Sequence, residues 1–452
     1  MVILDKRILV EYYSMEKKGG NSMKKTTIAV LCILMAVFMS VSGFAMENVK
    51  RGQRGSAVKE LQEILTSQGY YNGPVDGQFG RQTQEAVMAF QKAKGLDVTG
   101  IVGEATYKAL KPVPAAPDYA VVFPSWNPDS PSLHALVDFV IESRDESSPN
   151  YIAPADRIVT FDMDGTVLCE RAPVYMDWCL TMYRVLDDPT FNATEEERAA
   201  MQEVRDYANT EGDIYRGQGL TKEDLVASAF AGMTPAEFRA YVVDFADKVN
   251  VVGFEGMTYS QSFFKPMLEV IAYLQASDFD VWMVSACERE VVRAMMEPYG
   301  IPFDHIISTD VAYVAAGKGD ENADQYNMGK DEQIVLGTPL DSVECGKSGK
   351  PAAMAREIGK RPVIAFGNST GDYSMLNYAE GNPDHPGMGF FIVCDDTERE
   401  YGSEEKAAEF YKEAETQGWT AISMANDWKT IYGDNVVKTQ LPGAEQALPD
   451  AA

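Results

Sequence analysis

Histidine is scarce in this chain: His134, His305 and His385 are the only three in 452 residues, so mechanisms built on imidazole are poorly provided for. Cysteine is also sparse and scattered. Cys32, Cys169, Cys179, Cys287, Cys345 and Cys394 form neither a CxxC pair nor a Cys/His cluster, which excludes the usual zinc spacings. Loss of Cys32 with a leader would leave an odd number, and that is no disulfide framework. Basic charge is in deficit, with 40 Lys and Arg against 68 Asp and Glu and a formal net charge of −28. A nucleic-acid partner is thereby disfavoured, because binding phosphate backbones needs clustered cations. Any phosphate site must be locally positive against a negative whole. With 45% hydrophobic and 24% charged residues the composition is globular, and the length calls for more than one core.

Residues 23–45, MKKTTIAVLCILMAVFMSVSGFA, have a basic start, a long apolar run and small residues at Gly43 and Ala45 suited to cleavage before Met46, the pattern of a secretory signal peptide. A retained anchor is the alternative, since the run approaches bilayer-spanning length. It is the one membrane contact expected, and only if uncleaved. Val30 and Leu31 before Cys32 are too bulky for a lipoprotein signal. Residues 1–22 precede the basic start and are read as a non-native upstream extension from a misassigned start codon; a purine-poor sequence at the Lys18-Gly19-Gly20 codons would contradict this. Removing residues 1–45 leaves a charge of −31, so the exported form stays strongly acidic.

Residues 47–111 form the first expected domain. Val58, Leu61 and Leu65 fall at helical spacing, as do Ala86, Val87 and Phe90. Asn72-Gly73-Pro74 and Asp76-Gly77 mark tight turns between them, and a third helix is expected after Gly103. The signatures RGxxGxAVxxLQ up to Gln62, VDGQFGRQTQEAV from Val75 to Val87, Phe90-Gln91, Gly95-Leu96 and a closing TGIVGEATYKAL resemble the peptidoglycan-binding domain found on many wall-active enzymes. The resemblance implies a small all-α module with peptidoglycan as partner. It does not identify the contact residues, because most of these positions serve core and turns. The Pro-rich stretch 112–118 reads as a semi-rigid linker.

The strongest chemical signal is Arg157-Ile-Val-Thr-Phe-Asp162-Met-Asp164-Gly165-Thr166. Residues 158–161 read as a buried parallel strand, and two carboxylates follow at its C-terminal end, the edge where open α/β sheets bind ligands. An aspartate there can attack phosphorus, while a second can protonate the leaving oxygen and later activate water. Two close carboxylates also call for a cation with a preference for hard oxygen, such as Mg²⁺. A second apolar strand, Val281 to Val284, ends in Ser285, a hydroxyl donor for a phosphoryl oxygen. Lys347 and Lys350 precede a helical stretch from Pro351 to Ile358, with Pro near the helix start. A third strand, Pro362 to Phe366, runs into Gly367-Asn368-Ser369-Thr370-Gly371-Asp372.

In order and spacing these segments resemble the four motifs of the haloacid dehalogenase superfamily, across residues 119–440. The resemblance implies an α/β, Rossmann-like domain with a parallel sheet and a helical cap, acting on phosphorylated small molecules. It implies Asp162 as nucleophile and metal ligand, Asp164 as general acid/base and metal ligand, Ser285 and Thr166 as phosphate-binding hydroxyls, and Lys350 as the charge-balancing lysine, with Lys347 its rival. Asn368 and Asp372 would complete a Mg²⁺ site. Many members carry Asp where this chain has Asn368, a change that lowers the negative charge of the site, with weaker metal affinity or a larger share for Asp372 as the two consequences. The second aspartate, Asp164, sets the chain with the phosphatases and phosphomutases rather than the dehalogenases.

The 119 positions from Thr166 to Ser285 exceed any ordinary loop and include helical patterns at 196–207 and 235–248. A cap over about 168–275 is expected, closing on the site and choosing the substrate. Glu170, Arg171 and Arg216 are its charged substrate candidates. The aromatic and Met residues Tyr175, Trp178, Met182 and Tyr183 fit core packing better. Phe123 to Asn127 and residues 418–433 resemble flanking segments of phosphoserine-phosphatase-like proteins, with Trp126 and Trp428 in packing roles, and residues 441–452 are read as a loose tail. The expected activity is that of an exported phosphomonoester hydrolase at the cell wall. A phosphomutase or a non-catalytic wall-binding protein are the alternatives.

Overall fold

The computed structural model describes residues 49–110, 116–170, 174–211, 228–337 and 345–442. The signal segment, the upstream extension, Arg171, Arg216 and most of the C-terminal tail lie outside them. Among the described residues no helix is long and apolar enough to cross a membrane. The chain divides into two compact units, Met1–Lys111 and Pro112–Ala452.

The first unit holds α1 (Ser56–Ser67), α2 (Arg81–Ala93) and α3 (Glu104–Leu110). Leu61, Leu65, Val87, Phe90, Val102 and Leu110 close its core. Two turns of the same design tie the helices together. Gln62 Oε1 accepts from the Gly77 amide at 2.8 Å, and its Nε2 donates to the Gln78 carbonyl and the Thr83 hydroxyl. Gln91 repeats this with the Gly100 amide, the Ile101 carbonyl and the Thr106 hydroxyl. The loops align as VDGQFGRQT and VTGIVGEAT, and Gly77 and Gly100 share the left-handed φ of +70° and +68° that glycine adopts without a Cβ penalty. Each buried glutamine supplies a hydrogen bond that the turning backbone cannot find within itself.

The second unit is built on a six-stranded parallel sheet of β1 (Ile158–Phe161), β2 (Asp280–Glu288), β3 (Ile306–Thr309), β4 (Ile364–Gly367), β5 (Met388–Val393) and β6 (Thr420–Ser423), in the order β3-β2-β1-β4-β5-β6. The chain reverses direction of build around β1, so β1 and its neighbours present their C-terminal ends at the switch point of an open sheet. β1 and β4 are buried along their whole length, which is why both read as unbroken apolar runs. Phe161, Phe366 and Phe390 stack in a row across β1, β4 and β5 at 4.4 and 4.8 Å. The flanking helices are α4 (Pro131–Arg144), α8 (Lys265–Ala276), α9 (Arg289–Met296), α10 (Gly349–Glu357), α11 (Tyr373–Glu380) and α12 (Glu404–Gln417), while α5 (Met176–Met182), α6 (Glu195–Glu211) and α7 (Pro235–Lys248) lie in the insertion after β1.

The insertion begins and ends on paired backbone. Cys169 N–H donates to Ser262 O at 2.9 Å and Phe264 N–H to Val167 O at 2.8 Å, around a Leu168–Phe263 bridge. The second crossing is therefore at Ser262–Phe264, short of the boundary at 275 expected from the sequence. α8 buries Pro266, Met267, Val270, Ile271 and Leu274 and leads straight into β2, so it is the sheet's crossover helix rather than part of the cap. α7 starts with a capping box at Thr234 and Glu237 and Pro235 in its first turn, as its sequence dictates, and reaches the sheet layer through Arg239, whose guanidinium pairs with the buried Glu290 of α9. Trp126 and Trp428 are buried edge to face at 6.0 Å, tying the entry of this unit to its last turns.

Candidate active site

The backbone after β1 folds tightly on one carbonyl. Met163 O accepts from the amides of Thr166, Val167 and Leu168, and Gly165 makes the turn at φ +78°. A Cβ at Gly165 would fall 2.0 Å from Asn368 Nδ2, so glycine is required there both by conformation and by the close approach of the loop after β4. Asp162 and Asp164 flank this turn and are almost fully buried. Asp162 continues the β1–β4 pairing through its amide to Phe366 O at 3.0 Å. Asp164 Oδ1 accepts from the Met176 amide at 3.4 Å, a contact from the start of α5 in the insertion.

Lys350, on the first turn of α10, places its ammonium between two carboxylates, at 2.6 Å from both Asp162 Oδ1 and Asp372 Oδ1. Burial pulls its pKa down, but the two aspartates outweigh burial and hold it above the ordinary lysine value. Lys347 has a different place: it turns the chain at φ +48° and its amide donates to Gly371 O. The other oxygen of Asp372 accepts from the amides of Asn368 and Ser369 and from the Ser369 hydroxyl, at 3.0 to 3.1 Å. Gly367 allows that approach, since a Cβ there would meet Asp372 Cβ at 2.4 Å. Burial, and next the charge of Asp372, push the Asp162 carboxyl up to about 7 against the pull of Lys350. Three acids against one buried cation leave the site short of positive charge.

The two hydroxyls differ. Ser285 lies within β2, where the register with β3 shifts between Ser285 and Glu288. Its Oγ accepts from the Cys287 amide at 3.2 Å, which leaves its hydrogen free to donate. Thr166 Oγ donates to Asn368 Oδ1 at 3.1 Å, so its hydrogen is committed to orienting the amide. Glu170 lines a cavity with Gly165 and Asn368 beside the acids. Two further neighbours are Tyr175, whose spacing in the sequence fits packing, and Ser369. Burial, and then the charges of Glu170 and Asp164, raise the Tyr175 phenol above its ordinary pKa. Tyr175 follows the motif too distantly for spacing to signal this, whereas Ser369 lies inside it.

Among the described residues no group of three or more His, Cys, Asp or Glu side chains is placed to hold a metal ion. Asp162 and the amide oxygen of Asn368, beside Asp164, are instead an open set of hard oxygens, which fits Mg²⁺, an ion that keeps several waters and needs one or two carboxylates. The unbalanced negative charge points the same way.

An open parallel sheet carries an acid pair at the C-terminal end of β1, a hydroxyl on the neighbouring β2 and a buried lysine between two of its aspartates. Residues 159–377 match the haloacid dehalogenase-like hydrolase family and residues 54–110 the putative peptidoglycan binding domain; the chain thus carries a domain of each family. Similar curated proteins are the spore cortex-lytic enzymes of Bacillus subtilis (strain 168), 43% identical over 72 residues, and of Bacillus cereus, 38% identical over 91 residues. These cover 16% and 18% of this chain, and the chain spans only 24% and 35% of their length. A solved phosphoserine phosphohydrolase-like protein from Francisella tularensis subsp. tularensis SCHU S4 is 17% identical, covering 52% of this chain and 87% of its own, with a TM-score of 0.31.

Proposed function

We propose that the protein is a Mg²⁺-dependent phosphomonoester hydrolase, exported by residues 23–45 and held at the cell wall by residues 47–111. The observation that carries this reading is the Lys350 ammonium held between Asp162 and Asp372 beside Asp164. Asp162 attacks phosphorus and the ester oxygen leaves, giving an aspartyl-phosphate. Asp164 donates a proton to the departing oxygen and then takes one from the water that opens the acyl phosphate. Ser285 donates to a phosphoryl oxygen. Lys350 offsets charge on Asp162, and Asp372 positions Lys350 through one oxygen while the other accepts from two amides and a hydroxyl. Thr166 orients Asn368 in the same way. Asp162, Asp164 and Asn368 would hold Mg²⁺, which supplies charge neutralisation for the phosphoryl oxygens.

The test is phosphate release from a panel of phosphomonoesters, with and without chelator, by the parent and by Asp162→Asn. Release that needs the metal and vanishes in the variant is expected. A folded, metal-supplied parent that releases nothing while moving phosphate between hydroxyls of a sugar phosphate would make it a mutase. Retention of the full chain on insoluble peptidoglycan, lost on deleting residues 47–111, tests the wall assignment.

A further inference from the structure

Next to the acids a cavity of about 60 Å³ opens between Gly165, Glu170 and Asn368 on one side and the β5–α12 connection on the other. It lies at the C-terminal ends of β4 and β5, the edge of an open sheet where ligands sit. Its far wall is one face of α12: Ser403, Lys406, Ala407 and Phe410 recur at i, i+3, i+4 and i+7. The acidic first-turn residues Glu404 and Glu405 are exposed and do not line it. Ser403 spends its oxygen capping α12 through the Lys406 amide. Glu400, also on the wall, is buried and engaged by the Tyr432 hydroxyl and the Tyr401 amide. Among the described residues the Lys406 ammonium has neither an ion-pair nor a hydrogen-bond partner. The cavity therefore has Gly165 and Asn368 of the motif loops at one end, apolar walls from Phe264 and Ile392, and an uncommitted cation at its rim.

We propose that this cavity is the leaving-group subsite, and that Lys406 selects phosphomonoesters of small hydroxy acids by pairing with the carboxylate of the leaving group. The inference rests on the phosphomonoesterase reading above and moves part of the choice of substrate from the inserted cap to the β5–α12 connection of the sheet domain. Size supports it. At roughly 10–15 Å³ for each water-sized group, the cavity takes on the order of five such groups, so it holds most of a three-carbon leaving group with the carboxylate at the exposed rim and falls far short of a nucleoside. The carboxylate of the leaving group then meets Lys406 at the rim, while the phosphoryl end lies toward Gly165 and Asn368.

The probes are 3-phosphoglycerate and glycerol 3-phosphate, which differ chiefly by the carboxylate. With the full chain and Mg²⁺, the parent should favour 3-phosphoglycerate in kcat/KM, mainly through KM. Lys406→Ala should cut that preference roughly fivefold, the scale of a partly exposed ion pair, and Lys406→Glu should invert it. Lys412→Ala, exposed on the same helix but off the cavity, should keep the parental ratio. An equal ratio in parent and Lys406→Ala would overturn the assignment. Calorimetric binding of both esters to Asp162→Asn, with and without Lys406→Ala, gives a readout independent of turnover. Carboxylate preference in binding that Lys406→Ala abolishes, when the parent with intact Asp162 releases no phosphate, would sink the hydrolase reading and keep the subsite. No preference in binding would remove the subsite whatever the chemistry.

Discussion

Replacing Asp162 by Asn should make the metal-free catalytic unit more stable while ending its chemistry. The carboxyl is raised from 3.8 to about 7 by burial and by Asp372, and each pH unit is worth about 1.36 kcal/mol, so the rise converts to on the order of 4 kcal/mol. The folded state holds the proton more tightly than the unfolded chain does. The stabilisation is therefore fully present below about pH 3.8 and is lost as pH rises through about 7, following the linkage of protonation to folding. Asn is neutral at every pH and keeps an oxygen for Lys350. The stability gained by the variant over the parent should thus grow between pH 5 and pH 8. Water entry and relaxation make 4 kcal/mol a ceiling; at roughly 2 °C per kcal/mol for a unit of this size, several degrees are expected at pH 8. All five tryptophans, Trp126, Trp178, Trp282, Trp419 and Trp428, lie in the second unit, so tryptophan fluorescence during heating in chelator reports that unit alone. Mg²⁺ should then raise the parent's midpoint and leave the variant's nearly unmoved. Midpoints that stay parallel from pH 5 to pH 8 would refute the account of a strained acid.

Lys350→Met should cost the catalytic unit about 3–5 kcal/mol in urea unfolding, the scale for leaving buried charges unpaired, and abolish phosphate release; unchanged unfolding would show that the acids do not depend on this cation. Gly165→Ala should destabilise by about 1–3 kcal/mol through the left-handed backbone alone, and the contact with Asn368 should weaken Mg²⁺ binding in calorimetry. Ser285→Ala should raise KM for phosphomonoesters with the unfolding midpoint nearly unchanged, since its oxygen accepts only one amide. Gln62→Ala should destabilise the first unit by about 1–3 kcal/mol, the cost of stranding a buried amide; protease should then cut within 49–110 while the tryptophan transition stays in place.

The elements legible in the sequence were those whose pattern is local. β1 and β4 are buried on both faces and punctuated by motif loops, so residues 158–161 and 362–366 read as strands. β5 carries no motif at its end and has no local signal in the sequence, and β6 falls in the 418–433 segment, which the sequence marks by resemblance and not as a strand. Both lysines had a plausible position before the helix; the choice between them is made in space, where α10 begins early enough to take Lys350 into its first turn. The resemblance implies phosphate and metal roles for Thr166 and Asp372; their hydrogen bonds to Asn368 and Lys350 join segments far apart in the chain, which no local pattern shows. The cap boundary was set by distance from Ser285, which cannot separate a crossover helix from an insertion. The cavity under α12 is assembled from residues more than two hundred positions apart, Gly165 to Phe410, and no window along the chain contains it.

The paired glutamine turns of the first unit make it a tandem of two half-sized units rather than one three-helix bundle. Each half carries its own clasp, Gln62 with Gly77 and Gln91 with Gly100, but the apolar residues of the two halves share one core. Neither half can bury its surface alone, as in short repeat arrays. Separate peptides divided inside the α1–α2 region would each keep little structure and should recover it on mixing, so that this module could be rebuilt from two chains.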